Sequence, residues 1–253
     1  MNGQIVLALA WRSIVSVGRM PSAFVPSVVM PIVFVIVFSG AFSAITNLPN
    51  FDTDNILNWY APMTILQGSA FAGLGTAFGT ARDLEDGFFD RLLLAPTSRF
   101  SIMGGALLAS MLRSLLPFAL VLVVSLLGGA TIPGGPTGVL CLLLASTAIA
   151  FLAGAWGLGL VYRVKSMSVG PLIQVGIFLT LFLSTAQVPL DVMQGWLHAV
   201  ARVNPMTPVL QLARAGFIGT VEWGEVWPGL IALAAASAGL VLFAYRGIRR
   251  LTP

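Results

Sequence analysis

Long apolar segments are the feature that most restricts what this chain can fold into. Several runs of about 20 residues carry almost no charge, and a helix of that length crosses the ~30 Å hydrocarbon core of a bilayer. Only 9% of the 253 residues are charged and 57% are hydrophobic, which is more apolar surface than a soluble core needs. The sequence therefore predicts an all-α integral membrane protein without a separate globular domain.

The apolar runs predict six transmembrane helices, which lie at 24–46, 58–81, 101–127, 137–161, 170–188 and 226–245. Residues 1–23 then form a first unit, and residues 24–253 form a six-span domain. Residues 4–19 of the first unit place apolar residues among Gln4, Arg12 and Arg19, which suits a helix on the cytoplasmic membrane surface. A plain cytosolic tail is the alternative.

The basic residues predict the orientation. With both termini in the cytoplasm, the inner segments carry ten basic residues and the outer segments carry only Arg202 and Arg214, in keeping with the positive-inside rule. Arg113 falls within a span. The net charge of +4 therefore marks span ends and does not indicate nucleic-acid binding. Twelve arginines against one lysine point to a GC-rich bacterium, so we expect a multi-pass protein of the bacterial cytoplasmic (inner) membrane.

A charged island interrupts the apolar sequence after the second span. Residues 82–99 hold seven of the 22 charged side chains. Within them, residues 83–95 have the pattern of a short amphipathic helix, with acidic residues at its start and Leu84, Phe88 and Leu92 at helical spacing. Such a helix presents charged groups to a cytosolic partner. A solvated loop is the alternative interpretation.

A second interrupted region lies between the fifth and sixth spans. Residues 189–220 are mildly amphipathic, and Pro205 and Pro208 break them. The region is too interrupted to span the membrane. We expect an outer re-entrant hairpin of short helices that are buried against protein.

Both regions resemble one known family, the type-2 permeases of ATP-binding-cassette (ABC) exporters, and in particular their daunorubicin-resistance-like, drug-export branch. The stretch 85–93 with Ala95-Pro96 is similar to the E-x-G…R-L…P pattern that follows the second span in that family. Further matches to the fifth-span exit and extracellular hairpin of that branch lie at 184–190, 195–197, 204–207 and Arg214. One departure is Gln194, which stands where a proline is common.

The resemblance implies roles for particular residues. The segment 83–95 would be the coupling helix that docks on an ATPase subunit, with Glu85 as its polar contact, Gly87 permitting close approach and Arg91 bracing the helix end. The remaining partner-binding candidates in this segment are Asp83, Asp86 and Asp90. The hairpin 189–220 would cap the external mouth of the substrate path.

The sequence contains no ATPase site of its own. A phosphate-cradling loop needs G-x-x-x-x-G-K-[ST], and before Lys165 the second glycine is replaced by Val164. We therefore expect no enzyme activity and no cofactor in this chain, with ATP and Mg²⁺ bound by a partner ATPase. No catalytic residues are assigned, and His198 lacks neighbours at metal-ligand spacing.

Polar residues within the spans are few. The absence of Asp and Glu there argues against ion-coupled transport. Arg113 either snorkels to the inner interface or lines a lateral access route for an anionic or amphiphilic substrate. The other candidates either face a substrate path or bond to neighbouring helices; they are Thr64, Gln67, Gln174, Thr180 and Ser184.

A G-x-x-x-G motif, Gly75 and Gly79, precedes the charged island and predicts close helix packing. Chance occurrence among 27 glycines is the alternative.

These features, with the resemblance, predict the permease subunit of an ATP-driven exporter. It would move a hydrophobic drug, a lipid or a lipid-linked molecule outward, as in multidrug export and antibiotic resistance. Its partners would be a cytosolic ABC ATPase, a second copy or a sister permease that completes a dimer, and membrane lipids. The alternatives are a non-transporting scaffold or immunity component that recruits an ATPase, and a passive channel.

Overall fold

The computed structural model describes residues 3–15, 21–47, 51–94 and 96–251, which form ten α-helices and, within those ranges, no strand. The helices are α1 Gly3–Val15, α2 Pro21–Ala41, α3 Ile56–Glu85, α4 Phe88–Leu94, α5 Arg99–Leu127, α6 Gly135–Val164, α7 Gly170–Phe182, α8 Gly195–Val203, α9 Met206–Ile218 and α10 Trp223–Ile248. The prediction of an all-α fold is confirmed. Residues 1–2 and 16–20 of the predicted unit 1–23, and Ala95 of the predicted helix 83–95, lie outside the described residues.

Helix α3 is the centre of the bundle. Every residue from 58 to 74 is buried, because α2, α5, α6 and α9 pack around it. A helix enclosed by protein needs no lipid-facing apolar surface, so α3 can hold polar residues such as Asn58 and Gln67. The Asn58 amide donates to the Thr131 hydroxyl at 2.9 Å and to the Phe217 carbonyl at 2.8 Å.

Three described helices, α5, α6 and α10, are each long and apolar enough to cross a membrane. Large apolar side chains on α5 and α10 are exposed in the isolated chain, as lipid-facing residues are; they include Leu115, Leu116, Leu120 and Ile231. The apolar stretches of α2 and α7 are shorter, at Val25–Ala41 and Met167–Phe182. Three of the six predicted spans therefore meet the length and hydropathy expected of a membrane helix.

The fifth predicted span, 170–188, extends beyond its helix. Helix α7 has 13 residues and ends at Phe182, so it is about 20 Å long. The side-chain amide of Asn204 explains why the helix ends there. It donates to the carbonyls of Thr180 and Leu183, at 2.8 and 2.9 Å, in place of the backbone amides that a further helical turn would supply.

The connections gather at two opposite ends of the bundle. At one end, the Asn55 amide donates to the Gly129 carbonyl at 2.7 Å and joins the start of α3 to the α5–α6 connection. At the other end, Arg99 donates to the Arg249 carbonyl at 2.6 Å and joins the start of α5 to the end of α10. We call the first the exit end and the second the corner end.

Glycine contacts hold α3 and α9 against α6. A Cβ atom on Gly73 would collide with the backbone carbonyl of Ala150. Gly138 and Gly216 face each other, since a Cβ on Gly138 would lie 2.6 Å from the Gly216 Cα. The Gly134 amide also donates to the Gly216 carbonyl at 2.9 Å. Larger residues at these positions would force the helices apart.

The Gly75 and Gly79 motif is not the close contact of α3. A Cβ on Gly79 would meet no heavy atom within 4 Å, and Gly75 is half-buried. Close approaches lie at Gly68 and Gly73 instead, because α3 meets the backbone of α2 at the first and of α6 at the second. The predicted packing role of Gly79 is therefore wrong within this chain, and its packing against a second copy stays a prediction.

Substituting alanine at Gly73 and at Gly79 should affect stability differently. Gly73→Ala should lower the free energy of unfolding by about 1–3 kcal/mol, because the added methyl group overpacks the α3–α6 contact. Gly79→Ala should leave it unchanged or raise it by up to about 1 kcal/mol, because alanine favours helix and meets no neighbour. Thermal unfolding of both purified variants in detergent tests this, and equal losses at the two positions would contradict it.

Candidate functional site

The stretch after α7 is the most unusual backbone of the exit end. Residues 183–188, which we call the exit segment, form turns and bends, and Ser184, Thr185 and Ala186 are buried. Buried carbonyl groups outside a helix need hydrogen-bond donors, because no water reaches them. Side chains from α3, from α9 and from the connection between α8 and α9 supply these donors.

Arg214 is the main donor to the exit segment. Its guanidinium donates from Nε to the Trp59 carbonyl at 3.0 Å, from Nη1 to the Thr185 carbonyl at 2.7 Å and from Nη2 to the Ala186 carbonyl at 2.9 Å. It also lies 3.7 Å from the centre of the Trp59 ring, a favourable cation–π arrangement. Only 2% of the residue is exposed. Arg214 thus joins α9, α3 and the exit segment at one point.

The Gln187 carbonyl of the exit segment accepts hydrogen bonds from two side chains of α3. Trp59 Nε1 and the Tyr60 hydroxyl both donate to the Gln187 carbonyl at 3.1 Å. The N-terminal end of α3 therefore contacts the exit segment through the Trp59 and Tyr60 side chains, which share the Gln187 carbonyl. A shift of this end of α3 would change the exit segment directly.

The predicted hairpin 189–220 contains two short helices, α8 and α9, which separate at Asn204 and Pro205. Helix α9 is buried on almost all sides, because it packs against α3, α6 and α10. Arg214, one of the two basic residues of the predicted outer segments, is buried in the bundle, where backbone carbonyls compensate its burial. Its side of the membrane stays a prediction.

The corner end carries a sharp turn at Asp86 and Gly87. Gly87 has φ of +70°, a left-handed conformation that glycine adopts without steric cost. Helix α3 therefore stops at Glu85 and α4 starts at Phe88. The prediction of one continuous helix over 83–95 is wrong, because Gly87 breaks it into the end of α3 and the separate helix α4. We call residues 83–94 the α3–α4 corner.

Asp83 ties the corner to α1. Both of its carboxylate oxygens accept hydrogen bonds from Arg12, at 2.8 and 2.9 Å, and this pairing raises the pKa of the Arg12 guanidinium. The same guanidinium lies 3.9 Å from the centre of the Phe88 ring. The structure therefore uses the Asp83 carboxylate inside the chain.

Glu85 also has internal partners. Its Oε1 accepts hydrogen bonds from the Ser166 hydroxyl at 3.0 Å and the Met167 amide at 2.8 Å. The carboxylate thus joins the end of α3 to the α6–α7 connection. Glu85 is also exposed, so its role as the polar contact for a partner stays a prediction beside this internal one.

One buried ring anchors α4. Phe89 is 3% exposed, and its ring centre lies 5.7 Å from that of Tyr162 on α6. Other α4 and turn residues point outward and are exposed: Asp86, Asp90, Arg91 and Leu94. Helix α4 is therefore fixed by its apolar side. With the turn before it, it leaves two carboxylates and a guanidinium accessible to another molecule.

A cavity of about 640 Å³ lies between α3, α6, α7, α9 and α10. Two of the predicted path residues, Gln67 and Thr180, line it. The structure therefore brings these two candidates together from the second and fifth predicted spans.

The other path candidates lie elsewhere. The Thr64 hydroxyl donates to the Tyr60 carbonyl of its own helix, and the buried Ser184 hydroxyl donates to the Leu181 carbonyl. Gln174 is exposed on α7. Arg113 is buried on α5, with Nη1 3.4 Å from the Thr76 hydroxyl. None of the four lines the cavity.

Comparison with known proteins decides the family. The sequence profile of the ABC-2 type transporter family matches residues 4–218. This chain belongs to the ABC-2 type transporter family. The resemblance predicted from the corner and hairpin sequences is thereby confirmed, and this ABC-2 permease is a multi-pass membrane protein and a component of a transporter.

Two named relatives cover most of its length. The ABC-2 permease is 28% identical over 239 residues to the daunorubicin resistance ABC transporter permease protein DrrB1 of Streptomyces coeruleorubidus, which covers 91% of this chain and 80% of that protein. It is 30% identical over 218 residues to ycf38 of Cyanophora paradoxa, which carries the name of a transport permease, over 83% of this chain and 73% of that protein.

The sequence of this ABC-2 permease did not predict the contacts of Arg214 or of Ser166. Arg214 carried a signal, a lone charge in the apolar run from Met206 to Ile218. Ser166 carried none, because its hydrogen bond to Glu85 depends on which helices meet. Within the described ranges, no three His, Cys, Asp or Glu side chains are placed to hold a metal ion.

Removing the buried ring of α4 should loosen the corner. Phe89→Ala should increase trypsin cleavage after Arg91 severalfold, because loss of a buried phenylalanine costs about 3–5 kcal/mol of packing. Leu94→Ala, at a position that is 73% exposed, is the matched control and should cleave at the parent rate. Limited proteolysis with mass spectrometry measures both rates. Equal cleavage of Phe89→Ala and parent would show that the Tyr162 contact does not anchor α4.

Proposed function

We propose that this ABC-2 permease is the membrane-spanning subunit of an ATP-driven exporter and that a separate ATPase subunit, which binds ATP and Mg²⁺, docks on the α3–α4 corner. The geometry of α4 carries the proposal. Phe89 fixes this helix to the bundle, and the exposed Asp86, Asp90 and Arg91 remain available for charged contacts. Asp83 and the exposed Glu85 join the corner to α1 and to the α6–α7 connection, and Gly87 forms its turn.

Helix α3 is the proposed route of coupling. It runs without interruption through 30 residues from the corner to Ile56, about 45 Å. Its corner end is joined through Glu85 to the α6–α7 connection. Its exit end contacts the exit segment through Trp59. A displacement that the ATPase imposes at the corner would therefore reach the exit segment through this one helix. The displacement would shift the populations of the closed and open states of the exit segment.

The proposed topology has six spans, α2, α3, α5, α6, α7 and α10, and both termini in the cytoplasm of a bacterial inner membrane. The division of basic residues, ten to two, supports this orientation. The connections at the exit and corner ends support spans that alternate in direction across the membrane, since successive long helices start and finish at opposite ends. Helix α3 is less apolar than the others because protein surrounds it.

The proposed substrate is a hydrophobic drug, a lipid or a lipid-linked molecule, which the complex moves outward. The cavity between α3, α7 and α10 supports this class, because apolar side chains form most of its lining. The name of the Streptomyces relative refers to daunorubicin resistance, which agrees with drug export. A second copy or a sister permease would complete the path.

Charge reversal at the corner tests the docking proposal. When the affinity-tagged Asp86→Arg variant is purified from its own host, the co-purifying ATPase activity should be at least tenfold lower than with the parent permease. The reason is that a charge exposed on the proposed docking surface changes sign. Asp54→Arg, an exposed charge reversal in the loop before α3 at the exit end, should retain it. Retention of the ATPase by Asp86→Arg would remove this side of the corner from the docking surface.

Glu85→Ala separates docking from coupling. This variant should still co-purify with the ATPase but should lose ATP-dependent export severalfold, because the corner loses its hydrogen bonds to the α6–α7 connection. Loss of the ATPase itself would instead assign Glu85 to the docking contact. A parent complex that binds an ATPase but moves no substrate with ATP would favour a non-transporting scaffold over an exporter.

A further inference from the structure

The cavity between α3, α6, α7, α9 and α10 contains polar groups that the rest of the fold does not use. Gln67 lines it and is only 1% exposed. Neither its Oε1 nor its Nε2 has a hydrogen-bond partner among the described residues. Buried polar atoms are almost always paired, so an unpaired buried amide calls for a ligand or another specific explanation.

Trp156 on α6 is a second such group in the same wall. It lines the cavity, and its buried Nε1 likewise lacks a hydrogen-bond partner within the described part of the chain. The indole is held in place from behind, since it stacks on Phe243 with ring centres 5.6 Å apart. Gly176 leaves room for the N–H group, because a Cβ there would lie 2.9 Å from Nε1.

Thr180 adds a third polar group, and its chemistry is limited. Its hydroxyl donates to the Gly176 carbonyl at 2.8 Å, so its oxygen remains available only as an acceptor. The cavity therefore offers donors from Gln67 and Trp156 and acceptors from Gln67 and Thr180.

The remaining lining is apolar, and among the residues that the structure describes no Asp, Glu, Lys, Arg or His contributes to it. A charged group would lose its hydration in such a cavity without gaining a counter-ion. A purely apolar ligand would leave the Gln67 amide and the Trp156 N–H unpaired. The volume of about 640 Å³ suits a ligand of drug or lipid-tail size.

We propose that this cavity binds a neutral amphiphile whose head group both donates and accepts hydrogen bonds, such as an amide, and pairs with Gln67 and Trp156. The apolar body of the ligand lies against the side chains of α6, α7 and α10. This inference names the substrate class of the exporter and thus rests on the proposed function. It excludes cationic and anionic amphiphiles as preferred ligands.

Three C18 probes that differ in their head groups test the proposal. Oleamide has a neutral amide, oleylamine has the same chain with an ammonium group at pH 7, and 1-octadecene has no head group. Binding of tritiated oleamide to the purified permease in nanodiscs, without an ATPase, is measured by scintillation proximity. Unlabelled oleamide should compete at least tenfold better than either of the other two probes.

Variants locate the binding groups. Gln67→Leu and Trp156→Phe should each weaken oleamide binding about tenfold, the effect of one lost hydrogen bond in a buried site. Gln211→Leu, the same substitution at an exposed position of α9, should leave it unchanged. Ala236→Phe fills the cavity with a ring and should abolish binding.

The thermal stability of the variants excludes a merely structural role. Because the Gln67 amide is unpaired in the ligand-free chain, Gln67→Leu should keep or raise the Tm while it weakens binding. A lower Tm with unchanged oleamide binding would overturn the proposal. Equal competition by oleylamine or by 1-octadecene would also overturn it, since the cavity would then accept a cation or any lipid chain. Absence of saturable oleamide binding would do the same.

Failure of this inference is distinguishable from failure of the exporter proposal. The binding assay needs neither ATP nor a partner, whereas export needs both. ATP-dependent export without cavity binding would retain the function and reject the site. Cavity binding without ATP-dependent export would retain the site and reject the function.

Discussion

The buried guanidinium of Arg214 is the interaction on which the exit end depends. A charge in the interior of a membrane protein is costly, and backbone carbonyls compensate it here. Two of those carbonyls, Thr185 and Ala186, lie outside regular helix and need donors. Each group therefore satisfies the other, and Arg214 fixes α9, the start of α3 and the exit segment relative to one another.

The corner end of α3 combines internal contacts with an exposed surface. The corner is joined to α1 through Asp83 and to the α6–α7 connection through Glu85, while the exposed side of α4 stays open. Between the two ends, α3 is enclosed by protein and makes a backbone-close contact with α6 at Gly73. These features suit the proposed role of α3 as a helix that moves as one body between a docked ATPase and the exit segment.

The sequence predicted the class of fold and the location of the corner, because hydropathy and charge are local properties of the chain. It did not predict where α3 ends, since Gly87 was interpreted as a packing residue and not as a helix break. Gln67 and Thr180 were two of six path candidates, and only the arrangement of five helices separates them from Thr64 and Ser184. Trp156 could not be found, because its unpaired N–H is a property of the folded cavity.

The dependence of the exit end on Arg214 is tested most directly by the accessibility of α9 when Arg214 is replaced. A single cysteine is introduced at Ala213, which is fully buried, together with Cys141→Ser, and is labelled with N-ethylmaleimide in the folded permease. This dependence predicts little labelling with Arg214 present, extensive labelling with Arg214→Met, and little labelling with the exposed control Arg202→Met. A folded Arg214→Met permease in which the cysteine stays unlabelled would contradict it.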